Sequence, residues 1–144
     1  MAGATKVITI DTSLKKFYEV VYDVDKYPEF IPEMEKVNVL SMDEEKGEVN
    51  YEIKLMGMKL NYTLKLNFDK PNGMSWSFVK ASKFMKDNSG YWKLKSLGEN
   101  QVEAEYHVEL KLGRLVPKKV EKTLAGAGLP ALLKQFKERA ESLA

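Results

Sequence analysis

The chain contains no cysteine and a single histidine among its 144 residues. The first absence excludes a disulfide framework, a cysteine-based zinc site and a thiol nucleophile, and the second leaves no imidazole cluster for a metal. Long apolar runs are also missing. No stretch approaches the ~20 apolar residues of a membrane-spanning helix, and the N-terminus lacks the apolar run of a signal peptide. We therefore expect a cytoplasmic protein that holds no metal and no cofactor.

A strong excess of charge of one sign is missing as well. The 23 basic and 21 acidic residues give a formal net charge of +2 at pH 7, which is too small for a general DNA-binding protein. Hydrophobic residues make up 44% and charged residues 31%, as is typical of a globular protein. The length suits one domain, residues 1–144, that buries roughly two-thirds of the surface of the unfolded chain.

Alternating apolar and polar residues dominate the middle of the chain. In the clearest run Leu60, Tyr62, Leu64, Leu66 and Phe68 share one face, while lysine, asparagine and threonine lie on the other. This pattern predicts antiparallel strands with one apolar and one solvated face. The six runs that show the pattern cover residues 35–42, 48–55, 59–68, 74–78, 92–94 and 102–111.

Helical periodicity flanks these strands. Apolar residues recur at helical spacing over 14–24 after a candidate N-cap at 11–13, and Pro28 and Pro32 then favour a short second helix and a bend over 27–34. The C-terminal part is also helical, but the glycines of segment 125–130 predict a kink or break. A first strand over 6–10 should pair with the last strand. The expected fold is α+β, with a curved antiparallel sheet of about seven strands around a long C-terminal helix.

The turns between the strands are of two kinds, and the kinds alternate along the chain. Residues 43–47, 69–73 and 98–100 are polar, whereas 56–58, 80–90 and 112–117 are apolar and basic. Every second connection of a meander lies at the same end of the sheet, so one end should expose apolar and basic side chains together. We interpret that end as the mouth of an apolar cavity. The predicted mouth residues are Met56, Met58, Phe84, Met85 and Arg114.

Wide aromatic rings, several with a polar tip, dominate the predicted inner face of the sheet. Small residues of the C-terminal helix lie opposite them. Either the rings fill the space beside the glycines, or a gap remains that holds an apolar ligand, and the apolar end favours the gap. The candidate ligand-binding residues are Tyr51, Tyr62, Trp76, Phe78, Trp92, Tyr106, Phe30, Ala127 and Leu129.

Three segments resemble those of a known family. Residues 22–32, YDVDKYPEFIP, resemble the D-V-x-x-Y-P-x-F-x-P stretch of the polyketide cyclase/dehydrase branch of the START-like (SRPBCC, helix-grip) superfamily. Residues 89–94 are similar to its L-x-G-x-W-x-F strand, and residues 136–140 to its F-x-x-R-A ending. The resemblance implies a helix-grip fold, that is, a single START-like ligand-binding domain with a deep apolar cavity between sheet and terminal helix. It also implies that the bend at Tyr27, Pro28, Phe30 and Pro32 shapes the cavity mouth.

The resemblance leaves several functions open. The superfamily includes coenzyme Q-binding proteins, which hold isoprenoid quinones and related lipids, as well as polyketide cyclases/aromatases and a bacterial ribosome-association toxin. No carboxylate or histidine points inward in the predicted strands, and His107 falls on a polar face, so we expect no catalytic residue and no metal site. The leading hypothesis is a non-enzymatic carrier of a hydrophobic small molecule such as a lipid, an isoprenoid quinone or a polyketide-like compound. A cyclase that works through tyrosine and arginine placement is the alternative.

A basic cluster near the predicted mouth points to a macromolecular partner. Near anionic lipid each lysine or arginine contributes roughly 1 kcal/mol, which suits reversible attachment to a membrane surface. This reading places the protein peripherally at the inner membrane surface, while binding to the ribosome is the competing reading. The cluster consists of Lys111, Arg114, Lys118, Lys119 and Lys122.

Overall fold

In the computed structural model, which describes residues 2–143, seven β-strands form one antiparallel sheet. The strands are β1 (Ala2–Ile10), β2 (Met34–Met42), β3 (Lys46–Leu55), β4 (Met58–Asp69), β5 (Gly73–Ala81), β6 (Met85–Gly98) and β7 (Gln101–Leu112). Their order across the sheet is β1-β7-β6-β5-β4-β3-β2. Strands β2 to β7 therefore form an up-and-down meander, and β1 pairs with β7. Both features confirm the arrangement predicted from the alternating pattern.

Helices connect β1 to β2 and follow β7. They are α1 (Leu14–Tyr22), a 3-10 helix (Val24–Glu29), α2 (Lys118–Lys122), a π-helical turn (Thr123–Ala127) and α3 (Leu129–Ser142). The Ser13 hydroxyl accepts a hydrogen bond from the Lys16 amide at 3.1 Å, so α1 begins at the predicted N-cap. Among residues 2–143, none of these helices is both long and apolar enough to cross a lipid bilayer.

The short second helix lies earlier in the chain than predicted. It spans Val24–Glu29 rather than 27–34 and contains Pro28. Proline fits there because its fixed φ suits 3-10 geometry and the helix is too short for the ring to disturb a long hydrogen-bond ladder. The chain then bends at Ile31 and Pro32 and enters β2 at Met34.

An aromatic cluster fastens α3 to the sheet. The Phe136 ring centroid lies 5.0 Å from that of Trp92, 5.2 Å from that of Tyr27 and 5.1 Å from that of Phe30. All three pairs are edge-to-face or nearly so, the geometry that the ring quadrupoles favour. The middle of α3 is thus fixed to both the sheet and the 3-10 helix.

Polar contacts hold the C-terminal end of α3. Lys137 Nζ donates to the Thr9 carbonyl at 3.0 Å and forms an ion pair with Glu141 at 2.6 Å. The Asp11 amide also donates to Glu141, at 2.8 Å. The Lys137 ammonium and this amide hold the pKa of Glu141 below its usual range. The far end of α3 is therefore tied to the junction of β1 and α1.

The π-helical turn, Thr123–Ala127, overlaps segment 125–130, where the glycines predict a kink or break. The Gly128 amide donates to the Thr123 carbonyl at 2.8 Å, one residue further back than in an α-helix. A Cβ on Gly128 would lie 2.6 Å from that carbonyl oxygen. The turn therefore requires glycine at this position.

One predicted connection is mostly strand. The segment 80–90 was expected to be a loop, but β5 continues to Ala81 and β6 begins at Met85, which leaves only Ser82–Phe84 as the turn. A register shift between Met85 and Asp87 breaks the inward and outward alternation at the start of β6. Because of this irregularity, the start of β6 lacks the alternating pattern by which a strand is recognised in a sequence.

Gly128→Ala should destabilise the protein, because the added methyl group would collide with the Thr123 carbonyl and disrupt the π-helical turn. We expect the free energy of unfolding to fall by about 1–3 kcal/mol. Urea denaturation followed by circular dichroism measures this change.

Gly126→Ala is the matched control in the same turn. A Cβ on Gly126 would meet only the Cβ of Ala4, at an ordinary 3.8 Å. The better helix propensity of alanine should leave stability unchanged or raise it by up to ~1 kcal/mol. Equal losses in both variants would contradict the steric role assigned to Gly128.

Candidate ligand-binding cavity

A cavity of about 310 Å³ lies between the inner face of the sheet and the helical segment after β7. This volume is at the lower end of the range for small-molecule sites. Strands β3 to β7 form one wall, and the π-helical turn and α3 form the other. The apolar side chains that line it are Ile31, Met34, Ile53, Leu55, Leu64, Leu66, Met74, Met85, Val108, Leu110, Leu124, Leu129, Leu132 and Phe136.

Most of the candidate ligand-binding residues line this cavity, namely Tyr51, Tyr62, Trp76, Trp92, Tyr106 and Leu129. The others lie elsewhere. Phe78 follows Trp76 on β5 beyond the lining, Ala127 is exposed on the π-helical turn, and Phe30 packs against Tyr27 and Phe136. A ligand-binding role for any of them remains a prediction.

The cavity reaches the surface between the corner before β2 and the helices after β7. Its partly or fully exposed lining residues include Glu33, Met34 and Leu55 on one side and Leu124, Ala131, Leu132 and Gln135 on the other. Of the predicted mouth residues, Met85 lines the cavity but is buried. Met56, Met58, Phe84 and Arg114 belong to the same end of the meander but lie outside the lining. The position of the opening depends on how the helices cross the sheet, which strand alternation does not encode.

Three tyrosines of the sheet line the largely apolar cavity, and each carries a hydroxyl group. The Tyr51 ring stacks on that of Tyr62 at a centroid distance of 5.3 Å. Burial raises the pKa of Tyr51, Tyr62 and Tyr106 far above the ordinary value, and mutual repulsion of their phenolate forms adds to the shift for Tyr51 and Tyr106. No hydrogen bond joins these hydroxyls to another group of residues 2–143. All three are therefore neutral donors that face the cavity.

Tyr27 also lines the cavity, but its hydroxyl has a structural partner. It donates to the Val21 carbonyl at 2.5 Å and so links the 3-10 helix to α1. Burial raises the pKa of Tyr27 as well. Its hydroxyl is consequently engaged, unlike the three on the sheet.

A side-chain hydrogen bond bridges β5 and β6 where their backbone pairing stops. The ladder ends at the Trp76–Gly90 pair although both strands continue. Beyond it, Trp76 Nε1 donates to Asn88 Oδ1 at 3.0 Å, and both residues line the cavity. A Cβ on Gly90 would collide with the Trp76 ring, so glycine allows the indole to lie against β6. This bond closes the cavity wall at the splayed strands.

Asn88 is the site residue that sequence reasoning missed. It fell within the segment interpreted as a connection, because its polar side chain did not look like an inward position. The signal was present in the spacing, since Asn88, Gly90, Trp92 and Leu94 alternate and face inward.

Charged groups are nearly absent from the lining. Glu33, at the opening, is the only charged side chain among the described residues that line the cavity. Within residues 2–143 no group of three or more histidine, cysteine, aspartate or glutamate side chains is placed to hold a metal. His107 lies on the other face of the sheet, where Nδ1 is 2.7 Å from the Thr5 hydroxyl and the ring stacks on Tyr91. The cavity therefore offers donors and apolar walls without an acid–base pair.

Comparisons with known proteins agree with this geometry. Residues 10–137 match the family described as "Polyketide cyclase / dehydrase and lipid transport". No curated protein matches the sequence at a significant level.

Three solved structures have the same fold. The Zhui aromatase/cyclase from Streptomyces sp. R1128 is 17% identical, with 96% of this chain and 93% of that chain covered and a TM-score of 0.85. A START superfamily protein from Mycobacterium smegmatis is 17% identical over 100% of both chains, with a TM-score of 0.86. A protein from Thermus thermophilus is 16% identical over 99% of both chains, also with a TM-score of 0.86. These similarities confirm the predicted START-like, helix-grip fold.

Asn88→Leu should lower the free energy of unfolding by about 1–3 kcal/mol, because it leaves the buried indole N–H of Trp76 without an acceptor. Urea denaturation measures the loss. In a double-mutant cycle with Trp76→Phe, the free energy of unfolding of the double variant should fall by about 0.5–1.5 kcal/mol less than the sum of the losses in the two single variants. Strictly additive losses would show that the two side chains do not interact.

Stability should decline as the pH rises above about 10. Unfolded tyrosines lose their protons near pH 10, whereas burial raises the pKa of Tyr18 to about 12 and that of Tyr51 higher still. The unfolded state therefore releases protons at a lower pH than the folded state. The stability that the buried tyrosines contribute is fully present below pH ~10 and is lost as the pH approaches their pKa values in the folded state. Urea midpoints between about pH 8 and about pH 11 measure the decline.

Tyr51→Phe should flatten this pH profile because it removes one buried phenol. An absorbance titration of the folded protein gives an independent check. If all seven tyrosines ionise near pH ~10, the buried phenols are not shielded as the structure indicates.

Proposed function

Since this chain belongs to the polyketide cyclase/dehydrase and lipid transport family, we propose that its cavity binds an uncharged hydrophobic molecule with oxygen acceptors, such as a lipid, an isoprenoid quinone or a polyketide-like compound. The observation that carries this proposal is an apolar cavity whose only described charged side chain lies at the opening. Burial of the ligand supplies roughly 25 cal/mol per Å² of apolar surface. Hydrogen bonds from the hydroxyls of Tyr51, Tyr62 and Tyr106 orient the ligand.

Neutral donors favour a neutral ligand head group. A carbonyl or hydroxyl oxygen of the ligand would accept hydrogen bonds from the hydroxyls of Tyr51, Tyr62 and Tyr106. Such a bond between neutral groups buries no charge. An ionised carboxylate or phosphate would lose its hydration inside without meeting a lysine or arginine. At the opening it would also meet the Glu33 carboxylate. An anionic group of the ligand is therefore expected to stay outside the cavity.

The same chemistry supports a carrier more than an enzyme. A general base or nucleophile must be within reach of the reacting atoms in the form that accepts a proton or attacks. Phenols are protonated at neutral pH, and burial raises the pKa values of Tyr51, Tyr62 and Tyr106 further above the ordinary value. The interior groups therefore suit binding and release of an unchanged molecule.

A second candidate is a polyketide cyclase/aromatase. The stacked pair Tyr51 and Tyr62, with Tyr106 nearby, would polarise carbonyl groups of a folded polyketide chain. The Zhui structure, which shares the fold, is named as an aromatase/cyclase. This candidate requires a proton acceptor besides the phenols.

Ligand binding should change the intrinsic fluorescence, because both tryptophans of the chain, Trp76 and Trp92, line the cavity. A short-chain ubiquinone analogue should quench the emission saturably, since a quinone ring quenches indole at close range. Tyr62→Phe should weaken the affinity by about threefold to tenfold through loss of one hydrogen bond to the ligand. Tyr91→Phe is the matched control, because Tyr91 bonds to Glu105 outside this cavity.

The carrier proposal fails if native mass spectrometry detects no co-purified lipid-sized ligand and neither the quinone nor a fluorescent lipid binds. Turnover of an aromatic polyketide precursor, abolished by Tyr62→Phe, would support the cyclase instead. Unchanged quinone affinity in Tyr62→Phe would contradict the role of its hydroxyl as a ligand donor.

A further inference from the structure

We propose that the protein docks on an anionic lipid surface through a cluster of exposed cations around Leu115, next to the cavity opening. This cluster, the basic rim, consists of Lys83, Lys86, Arg114, Lys118, Lys119 and Lys122, all of which are exposed. The proposal concerns the outside of the molecule and does not depend on the identity of the cavity ligand.

Backbone contacts bring the basic rim together. The Gly113 amide donates to the Phe84 carbonyl, which joins the loop of Arg114 to the turn that carries Lys83. The Lys86 side chain lies beside Gly113. The rim is thus one surface built from the β5–β6 turn and the segment after β7.

Helix α2 completes this surface. Its buried residue Val120 packs into the core, and the preceding Val116 is buried as well. Lys122 follows Lys118 by four residues and Lys119 by three, and all three are on the exposed side of the helix. Lys122 directly precedes Thr123, the first residue of the cavity-lining helical segment.

The cations of the basic rim are not neutralised within the molecule. In the part of the chain that the structure describes, none of them has a carboxylate within 4.0 Å. The neighbouring acids already accept backbone hydrogen bonds: Glu121 from the Leu112 amide at 3.0 Å, and Asp87 from the Asn88 amide at 2.9 Å. The rim therefore presents unpaired positive charge to an external partner.

Two of the three turns at the opposite end of the meander are acidic. Asp43, Glu44 and Glu45 occupy the β2–β3 turn there, and Glu99 lies in the β6–β7 turn. Because the formal net charge of the whole chain is only +2, the residues outside the basic rim are net negative. An anionic surface would attract the rim and repel the other end, which orients the cavity opening toward that surface.

Leu115 favours a lipid partner over a nucleic acid. Its side chain follows Arg114 in the sequence and is 87% exposed, and Met56, 53% exposed, lies at the same end of the sheet. An anionic bilayer accepts both cations and inserted apolar side chains. A phosphate backbone binds the cations but offers no apolar environment to a leucine.

Co-sedimentation with phosphatidylcholine vesicles, with and without phosphatidylglycerol, tests the proposal on the full chain. Binding is expected only with phosphatidylglycerol and should weaken as salt rises. Lys118→Glu/Lys119→Glu should reduce vesicle affinity about tenfold or more. The matched control is Lys15→Glu/Lys16→Glu, which makes the same charge change in the first turn of α1. That helix starts at the opposite end, where Gln101 contacts Asp11, so affinity should remain nearly unchanged.

Leu115→Ser tests the insertion of an apolar side chain into the bilayer without changing the charge of the basic rim. It should lower vesicle affinity about threefold to tenfold without affecting the fold, because Leu115 makes little contact with the protein. Leu40→Ser is its control, since Leu40 is 56% exposed on β2, away from the rim. Equal losses in Lys118→Glu/Lys119→Glu and its control would overturn the proposal, as would the absence of vesicle binding. Rim-dependent binding to ribosomes without vesicle binding would assign the surface to RNA and also overturn it.

Discussion

The attachment of α3 to the sheet determines which part of the interior is closely packed and which part is a cavity. Phe136 anchors the helix on Trp92 and Tyr27, and Lys137 and Glu141 tie its C-terminal end to the start of α1. Toward Gly128 the helix faces the cavity instead of a close-packed sheet. An apolar space of this size forfeits dispersion contacts along its walls. A ligand that fills it restores those contacts, so the structure itself favours occupancy.

Neutral polar groups line the interior of the molecule, and cations lie on its surface beside the opening. The interior holds phenols whose raised pKa values keep them neutral, and the Trp76 indole is satisfied by Asn88. The basic rim beside the opening holds cations that form no ion pair with any of the residues 2–143. This division follows from desolvation, because burial of a neutral donor without a partner costs about 1–3 kcal/mol, whereas burial of an unpaired charge costs several kcal/mol more. The proposed selection of a ligand and the proposed docking on a lipid surface thus rest on different interactions.

The strands could be predicted from the sequence because each shows its own alternation. Tyr62 and its neighbours on β4 mark one face without reference to any other strand, and Ser13 marks the start of α1. The misplaced features depend on pairing between distant segments. The register shift near Met85 concealed the start of β6, and the divergence of β5 from β6 after Trp76 leaves Phe78 outside the cavity lining. The opening beside Leu55 and Leu124 likewise reflects the packing of helices on the sheet, which no local pattern records.

Membership of the family establishes a fold that suits binding, while the interior groups decide what chemistry it performs. Similar backbones, with a TM-score of 0.85 at 17% identity, show that the fold tolerates very different side chains. Ring closure in a polyketide requires removal of a proton from carbon as well as stabilisation of the resulting oxyanion. Protonated phenols supply only the second function. Among the described lining residues, Glu33 is the one carboxylate that would accept a proton, and it is partly exposed at the opening. A cyclase reaction in this cavity would therefore need Glu33 or a group outside the described lining as its base, whereas the proposed carrier role needs no base.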